Sequence, residues 1–155
     1  MATGDIKWFA QGLHDLGNKI HNLSSDVLQL GIVTTATVPS ITTAAPHWGG
    51  TGTTNFAANQ VGTGGGYTGP ITLSGVSWTN VSGVPTLRAT DVVIAQNAAG
   101  FANGAYGIIF NSTDANKRAL GYIELSAAGS ASIVSGSLTI DFQGAGTDVL
   151  KITPA

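Results

Sequence analysis

The stretch of sequence that decides the fold is YGIIFNSTDANKRALGYIEL, residues 106–125. Tyr106, Ile108 and Phe110 occupy alternate positions in its first half, and Leu120 and Tyr122 do the same in its second half. Side chains at alternate positions of a strand share one face of the sheet, so each half is expected to be a strand. The polar residues 111–116 between them are typical of a turn. The stretch therefore predicts an antiparallel hairpin.

Similar short segments follow one another from residue 26 to the end of the chain. Leu28, Leu30 and Ile32 indicate a first strand, and residues 138–142 and 150–152 indicate a final pair. Charged residues make up only 9% of the chain while Gly occurs 22 times, which argues against long helices. About seven or eight strands with frequent turns are typical of an antiparallel sandwich. We therefore predict a mainly β fold, an antiparallel β-sandwich of jelly-roll-like type, in a single domain 1–155.

The N-terminal segment has a helical period instead. Apolar residues recur at three- and four-residue steps, and polar residues lie on the opposite side of the same wheel. The apolar set is Ile6, Phe9, Leu13, Leu16, Ile20 and Leu23, and the polar set is Lys7, Gln11, His14, Asn18 and His21. This spacing predicts one amphipathic helix over 5–23 with Asp5 as its cap, although Gly12 and Gly17 each cost about 1 kcal/mol relative to Ala.

Residues 37–69 form a Gly/Thr-rich stretch without a sustained period. Such a stretch is longer than the roughly 12 to 15 residues typical of loops, which predicts an arm that is either disordered or ordered by something it binds. Trp48, Phe56 and Tyr67 are the only aromatic residues in it. Exposed loop aromatics are enriched at binding interfaces, so these three are candidate contacts with a partner. The alternative is that they pack back onto the protein's own sheet.

Charge and hydropathy exclude two kinds of partner. The net charge of −2 and the pI near 5.8 leave no basic surface for nucleic acid. The longest aliphatic run, residues 92–95, is too short to span a bilayer, so no membrane partner is expected and synthesis is expected in the cytoplasm.

The sequence also lacks the residues that catalysis or metal binding requires. The chain has no Cys, and it has no recognisable nucleophile, base or cofactor motif, so we expect a protein that is not an enzyme and carries no cofactor. His14 and His21 would lie roughly 10 Å apart along a helix, too far to share one ion. Both are therefore expected to face solvent. Asp114 and Asn116 start like a calcium loop, but Arg118 stands where an oxygen ligand is needed, which favours a polar turn.

Several segments together resemble small virion proteins of tailed bacteriophages. They are Trp8-Phe9, Gly12-Leu13, residues 16–19, residues 26–33, residues 69–73, residues 106–110 and residues 117–122. The resemblance covers most of the chain and implies a capsid decoration, or cement, protein located on the capsid exterior. Such a protein would bind the major capsid protein and itself, as a dimer or trimer, and bridge neighbouring capsid subunits. The alternative from the same composition is a tail-fibre or adhesin module that recognises a host glycan.

Overall fold

A computed structural model of the chain describes residues 6–142 and the backbone of residues 148–151. In chain order the elements are β1 (Lys7–Trp8), α1 (Ala10–Gly17), β2 (Leu28–Val33), β3 (Pro46–His47), β4 (Thr54–Asn55), a 3-10 helix (Phe56–Asn59), β5 (Ile71–Thr72), β6 (Ser77–Val81), β7 (Val84–Arg88), β8 (Val92–Ile94), β9 (Tyr106–Asn111), β10 (Ala119–Glu124), β11 (Leu138–Ile140) and β12 (Asp148–Lys151). Strands dominate and nearly all pairs are antiparallel, so the mainly β fold class is confirmed.

The largest sheet has five strands in the order β1-β10-β9-β2-β5, all antiparallel. Its centre is the predicted hairpin of β9 and β10, with β2 on the other side of β9. The register of the hairpin shifts between Ala119 and Gly121. Because of this irregularity, Leu120 and Tyr122 join different core clusters, so the expectation that they share a face is wrong.

The remaining strands form three smaller sheets. β12, β7 and β6 make a three-stranded antiparallel sheet, β11 and β8 an antiparallel pair, and β3 and β4 a parallel pair. The strands predicted to be the final pair, β11 and β12, are therefore not partners of each other. Each pairs with an earlier strand of the chain, β11 with β8 and β12 with β7.

The central sheet is covered on both faces. Leu30, Ile32 and Ile109 belong to the larger core cluster, which also contains residues of β7, β8 and β11. Ile108 and Phe110 belong to a second cluster. Neighbouring residues of a strand point to opposite faces, so the two clusters lie on opposite sides of the sheet. Strands buried on both faces explain why β9 reads as almost continuously apolar.

The N-terminal helix is shorter than predicted. It spans Ala10–Gly17 instead of 5–23, because residues 7–8 pair with β10 and leave only eight residues for the helix. Its first residue is preceded by Phe9, so the predicted cap does not begin this helix, and Asp5 itself lies outside the described residues. Lys19, two residues after the last helical residue, has a left-handed backbone conformation with a φ of 62°. The amides of Lys19 and Ile20 donate to the carbonyls of Leu16 and Asp15, the pattern of a Schellman motif.

The buried face of α1 also differs from the predicted apolar stripe. Gly12 and Asp15 are the buried residues of the helix, whereas Leu13 is exposed. A Cβ on Gly12 would lie 2.7 Å from the carbonyl oxygen of Leu120, so the helix backbone rests directly on β10. The helix turns its Gly12 side toward β10 because only a residue without a side chain lets the two backbones come this close. The same glycine that weakens the isolated helix therefore allows it to pack on the sheet.

Candidate functional site

The predicted arm, residues 37–69, does not extend away from the protein. The amide of Val61 donates to the carbonyl of Ile32, and the amide of Trp48 donates to the carbonyl of Lys117. The segment therefore runs along β2 and beside the turn of the β9–β10 hairpin. It provides the cover for the second face of the central sheet.

The structure buries all three aromatic residues predicted as partner contacts. Trp48 stacks on Phe110 with ring centroids 5.2 Å apart, and Phe56 lies 5.9 Å from Phe9. Both belong to the second core cluster. Tyr67 lies in the larger cluster, and its hydroxyl accepts a hydrogen bond of 2.9 Å from the amide of Ile32. The alternative of packing onto the protein's own sheet is the arrangement seen, and these side chains are not exposed anchors.

Exposed aliphatic side chains occur elsewhere in the same segment. Val38 and Ile41 are 65% and 54% exposed, and Leu13 of α1 is 40% exposed. The carbonyl of Ile41 accepts a hydrogen bond from the amide of Ala10, which holds the loop beside the start of the helix. We call the exposed side chains of Leu13, Val38 and Ile41 the helix-side patch.

The segment that carries Val38 and Ile41 has no acidic, lysine or arginine side chains. No Asp, Glu, Lys or Arg occurs between Val27 and Leu87. His47, the one ionisable histidine of that range, is buried. Exposed positions in residues 34–60 are therefore Thr, Ser, Ala, Gly, Asn or aliphatic residues. Removing these groups from water costs less free energy than removing charged groups from water.

A polar cleft of about 110 Å³ lies between helix α1, residues 45–51 and Arg118. It is lined by Gln11, Asp15, Ala45, Pro46, His47, Thr51 and Arg118, and we call it the Asp15 cleft. Helix α1 supplies Gln11 and Asp15, the 45–51 segment supplies the middle of the cleft, and the hairpin supplies Arg118. The docking of Gly12 on β10 brings these three parts of the chain together.

Asp15 is the most buried charged group of this cleft, with a side chain 3% exposed. Its Oδ1 accepts a hydrogen bond of 2.7 Å from Gln11 Nε2 and lies 3.4 Å from His14 Nδ1. Its Oδ2 lies 3.7 Å from Arg118 Nε and has no hydrogen-bond partner among the described residues. Arg118 Nη1 also contacts Asp114 at 3.3 Å, so one guanidinium serves two carboxylates.

The two helix histidines of the sequence prediction have different environments. His14 is exposed, as expected, but His21 is buried and lies beyond the end of α1. Asn111 Nδ2 lies 3.1 Å from His21 Nδ1 and also donates to Asp26. Burial lowers the pKa of His21, while the nearby carboxylates of Asp15, Asp114 and Asp26 oppose this shift. The expectation that His21 faces solvent is wrong because the chain turns inward after Lys19.

A second, wider groove of about 310 Å³ lies near His21. Its lining residues are Leu16, Lys19, His21, Asn22, Leu23 and Trp78. Trp78 is half-buried and Asn22 is exposed, so an indole and an amide meet in one groove.

The predicted turn at residues 111–116 has the expected polar character. Asp114 accepts hydrogen bonds from the amide and the guanidinium of Arg118. Within the described ranges, no group of three or more His, Asp or Glu side chains is arranged to hold a metal ion. No helix in the described part of the chain has the length and hydropathy that a bilayer crossing requires.

The sequence prediction did not single out the Asp15 cleft. Its charged residues come from positions 15 and 118, and neither position belongs to a recognisable motif. The spacing of Gln11 and Asp15, which places them on one face of a helix, was the one local signal. The contacts with His47 and Arg118 depend on the tertiary fold.

No protein-family model matches this chain, and no curated protein or solved structure is significantly similar to it.

Proposed function

We propose that this protein is a structural virion protein that binds the outside of an icosahedral phage head and bridges major capsid protein subunits. The observation that supports this role best is the long segment without Asp, Glu, Lys or Arg that exposes Val38 and Ile41. A decoration protein must dehydrate a surface against many copies of its partner. Uncharged polar and aliphatic groups cost less to dehydrate than charged groups, and interface centres are depleted in charge.

The proposal assigns the contact to Leu13, Val38 and Ile41 instead of the buried aromatic residues. It includes the finer expectation of a jelly-roll-like sandwich and a homo-oligomer located on the capsid exterior. Copies joined to each other would hold their binding surfaces at high effective concentration over the capsid lattice. Weak individual contacts would then add up to stable occupancy.

Cryo-electron microscopy of the virion tests this proposal through location and copy number. We expect hundreds of copies in a symmetric arrangement on the head, on the order expected of a multivalent lattice contact. A few copies confined to the tail would contradict the proposal.

The contact surface is tested with heads that lack the protein. Val38→Asp combined with Ile41→Asp should abolish occupancy, because each buried contact would then carry an unpaired carboxylate. Val93→Asp is the matched control, since Val93 is also 65% exposed but lies on β8. Undiminished occupancy of the Val38/Ile41 variant would remove these residues from the interface.

A second candidate function rests on the groove at Trp78. Aromatic rings beside amides can stack against a sugar ring and hydrogen-bond its hydroxyls, and the volume of about 310 Å³ falls in the usual range of ligand pockets. A tail module recognising a host glycan would use such a groove. Binding of host surface polysaccharide that is lost in Trp78→Ala, together with a low copy number, would favour this function over head decoration.

A further inference from the structure

We propose that the Asp15 cleft is a receptor for one lysine or arginine side chain of a protein partner. This inference deepens the proposed function, on which it rests, by naming the chemistry of one contact. It starts from Asp15 Oδ2, an almost completely buried carboxylate oxygen that accepts no hydrogen bond within residues 6–142. Buried acceptors of this kind are normally satisfied, so the cleft lacks a donor.

The charges at the cleft favour a cation. Asp15 and Asp114 both contact Arg118, which leaves two carboxylates for one guanidinium. The contact from Arg118 Nε to Asp15 Oδ2 is 3.7 Å, longer than a charge-assisted hydrogen bond. A second cation at Oδ2 would balance the remaining negative charge.

The neutral groups of the cleft also present acceptors. His47 Nδ1 lies 3.2 Å from the carbonyl oxygen of Ala45, which fixes Nδ1 as the donor and leaves Nε2 as an acceptor in the neutral ring. Gln11 uses Nε2 on Asp15, so its Oε1 remains as an acceptor. The Thr51 hydroxyl donates to Asn116. A ligand with several donors and a positive charge, an ammonium or guanidinium group, matches this set.

The size and position of the cleft indicate a side chain of a protein. A volume of about 110 Å³ is well below the roughly 300 to 1,000 Å³ of pockets for whole cofactors or drug-sized ligands. The end of a lysine or arginine side chain is a much smaller group. Ala45 lines the cleft and belongs to the same segment of the chain as the exposed Val38 and Ile41. A partner that contacts this segment would carry a cationic side chain to the opening.

The probes are N-acetyl-lysine amide and N-acetyl-arginine amide, followed by NMR of the backbone amides of the full chain. We expect saturable shifts at the residues lining the cleft, with dissociation constants in the range of about 1 mM or weaker. N-acetyl-norleucine amide, which has a similar apolar chain without the charge, should produce no such shifts. Equal responses to the uncharged probe, or no saturable response to either cation, would overturn the inference.

Two substitutions locate the effect at the carboxylate. Asp15→Asn should weaken binding of the cationic probe by about tenfold or more, because the neutral amide keeps the shape and loses the charge. Asp141→Asn is the control, since it makes the same change at an exposed position. An unchanged affinity in Asp15→Asn would overturn the inference.

A third variant decides the question if Asp15→Asn fails to fold. Gln11→Lys places the chain's own ammonium beside Asp15 and should both raise the melting temperature and abolish the probe shifts. Retention of the probe shifts in this variant would contradict the proposal. Putrescine distinguishes between the two possible sources of the cation, a protein side chain and a free amine. Tighter binding of putrescine than of both amino-acid probes would overturn the assignment to a partner protein.

The virion experiment and the probe experiment can reject the two proposals separately. Cationic probes that bind the cleft while virions carry no head decoration would reject the proposed function and keep the cleft assignment. Decorated heads together with a cleft that does not bind the cationic probes would keep the proposed function and reject the cleft assignment.

Discussion

The indole ring of Trp48 lies flat on the ring of Phe110, with centroids 5.2 Å apart and an angle of 2° between the planes. Trp48 belongs to a loop segment and Phe110 to the centre of the main sheet. The pair therefore joins the outer cover to the sheet. Removing the indole would leave a void where the cover meets the strands.

We expect Trp48→Ala to destabilise the protein by roughly 3 to 5 kcal/mol, as large-to-small substitutions of buried aromatic residues do. Urea denaturation followed by far-ultraviolet circular dichroism measures this loss. Val38→Ala is the comparison, because its side chain is exposed and should change stability by less than about 0.5 kcal/mol. A Trp48→Ala variant as stable as the wild-type chain would refute the buried cover.

Gly12 and Gly17 lie in the same helix and should respond oppositely to alanine. A Cβ on Gly12 would lie 2.7 Å from backbone atoms of Leu120, whereas a Cβ on Gly17 would meet nothing within 4 Å. Gly17→Ala should therefore raise stability by about 0.5 to 1 kcal/mol through helix propensity. Gly12→Ala should lower stability by about 1 to 3 kcal/mol through overpacking.

Thermal denaturation of the two variants measures this difference in sign. Stabilisation by both substitutions would mean that α1 does not rest on β10. Destabilisation by Gly17→Ala would contradict the open space around that position.

The Tyr67 hydroxyl should control part of the stability at alkaline pH. Burial raises the pKa of Tyr67 to about 12, while its hydrogen bond with Ile32 acts in the opposite direction. Since the unfolded phenol ionises near pH 10, the stabilisation from the neutral folded phenol is present below that pH and is lost as the pH rises toward about 12.

Tyr67→Phe tests this contact directly. It leaves the amide of Ile32 without its acceptor and should cost about 1 to 3 kcal/mol at neutral pH. The variant should also lose less stability than the wild-type chain above pH 10, near the ordinary tyrosine pKa. Parallel alkaline losses in both proteins would assign the effect to other groups.

His21 should make the fold sensitive to mild acid. Burial lowers its pKa below the ordinary 6.5, although Asp15, Asp114 and Asp26 partly oppose the shift. The stability from the neutral ring is therefore present above about pH 6.5 and is lost as the pH falls through the folded pKa. Arg118 nearby disfavours the protonated ring further.

Melting temperatures between neutral and mildly acidic pH check this prediction. The wild-type chain should lose stability over this interval more steeply than His21→Gln, which cannot take up a proton. His14→Gln is the matched control because His14 is exposed. A His21→Gln variant with the wild-type pH profile would contradict the prediction, because protonation of His21 would then not be the cause of the acid destabilisation.

Local patterns predicted the central part of the fold. Alternation along β2 and β9 and the polar turn before Arg118 are properties of neighbouring residues, so they could be recognised in the sequence. The burial of Trp48 could not, because the stack with Phe110 joins positions far apart in a segment without periodicity. The presence of a strand at residues 7–8 was hidden by apolar spacing that also fits a helix.

The site depends even more on distant contacts. Asp15 follows ordinary helix spacing, and its role beside Arg118 becomes visible only when Gly12 docks on β10. The position of Ile41 beside the helix rests on a backbone hydrogen bond to Ala10, a residue 31 positions away in sequence. Sequence patterns identified the segment that contains part of the proposed interface, but the three aromatic side chains that they singled out in it are buried.

The absence of charged residues between Val27 and Leu87 has a consequence for how attachment would respond to salt. Apolar and neutral contacts at the helix-side patch should hold across a wide range of ionic strength. A cation seated against Asp15 would be largely buried, and buried ion pairs are screened much less by salt than exposed pairs. If attachment uses both surfaces as proposed, a salt titration should therefore leave most of the attachment free energy in place.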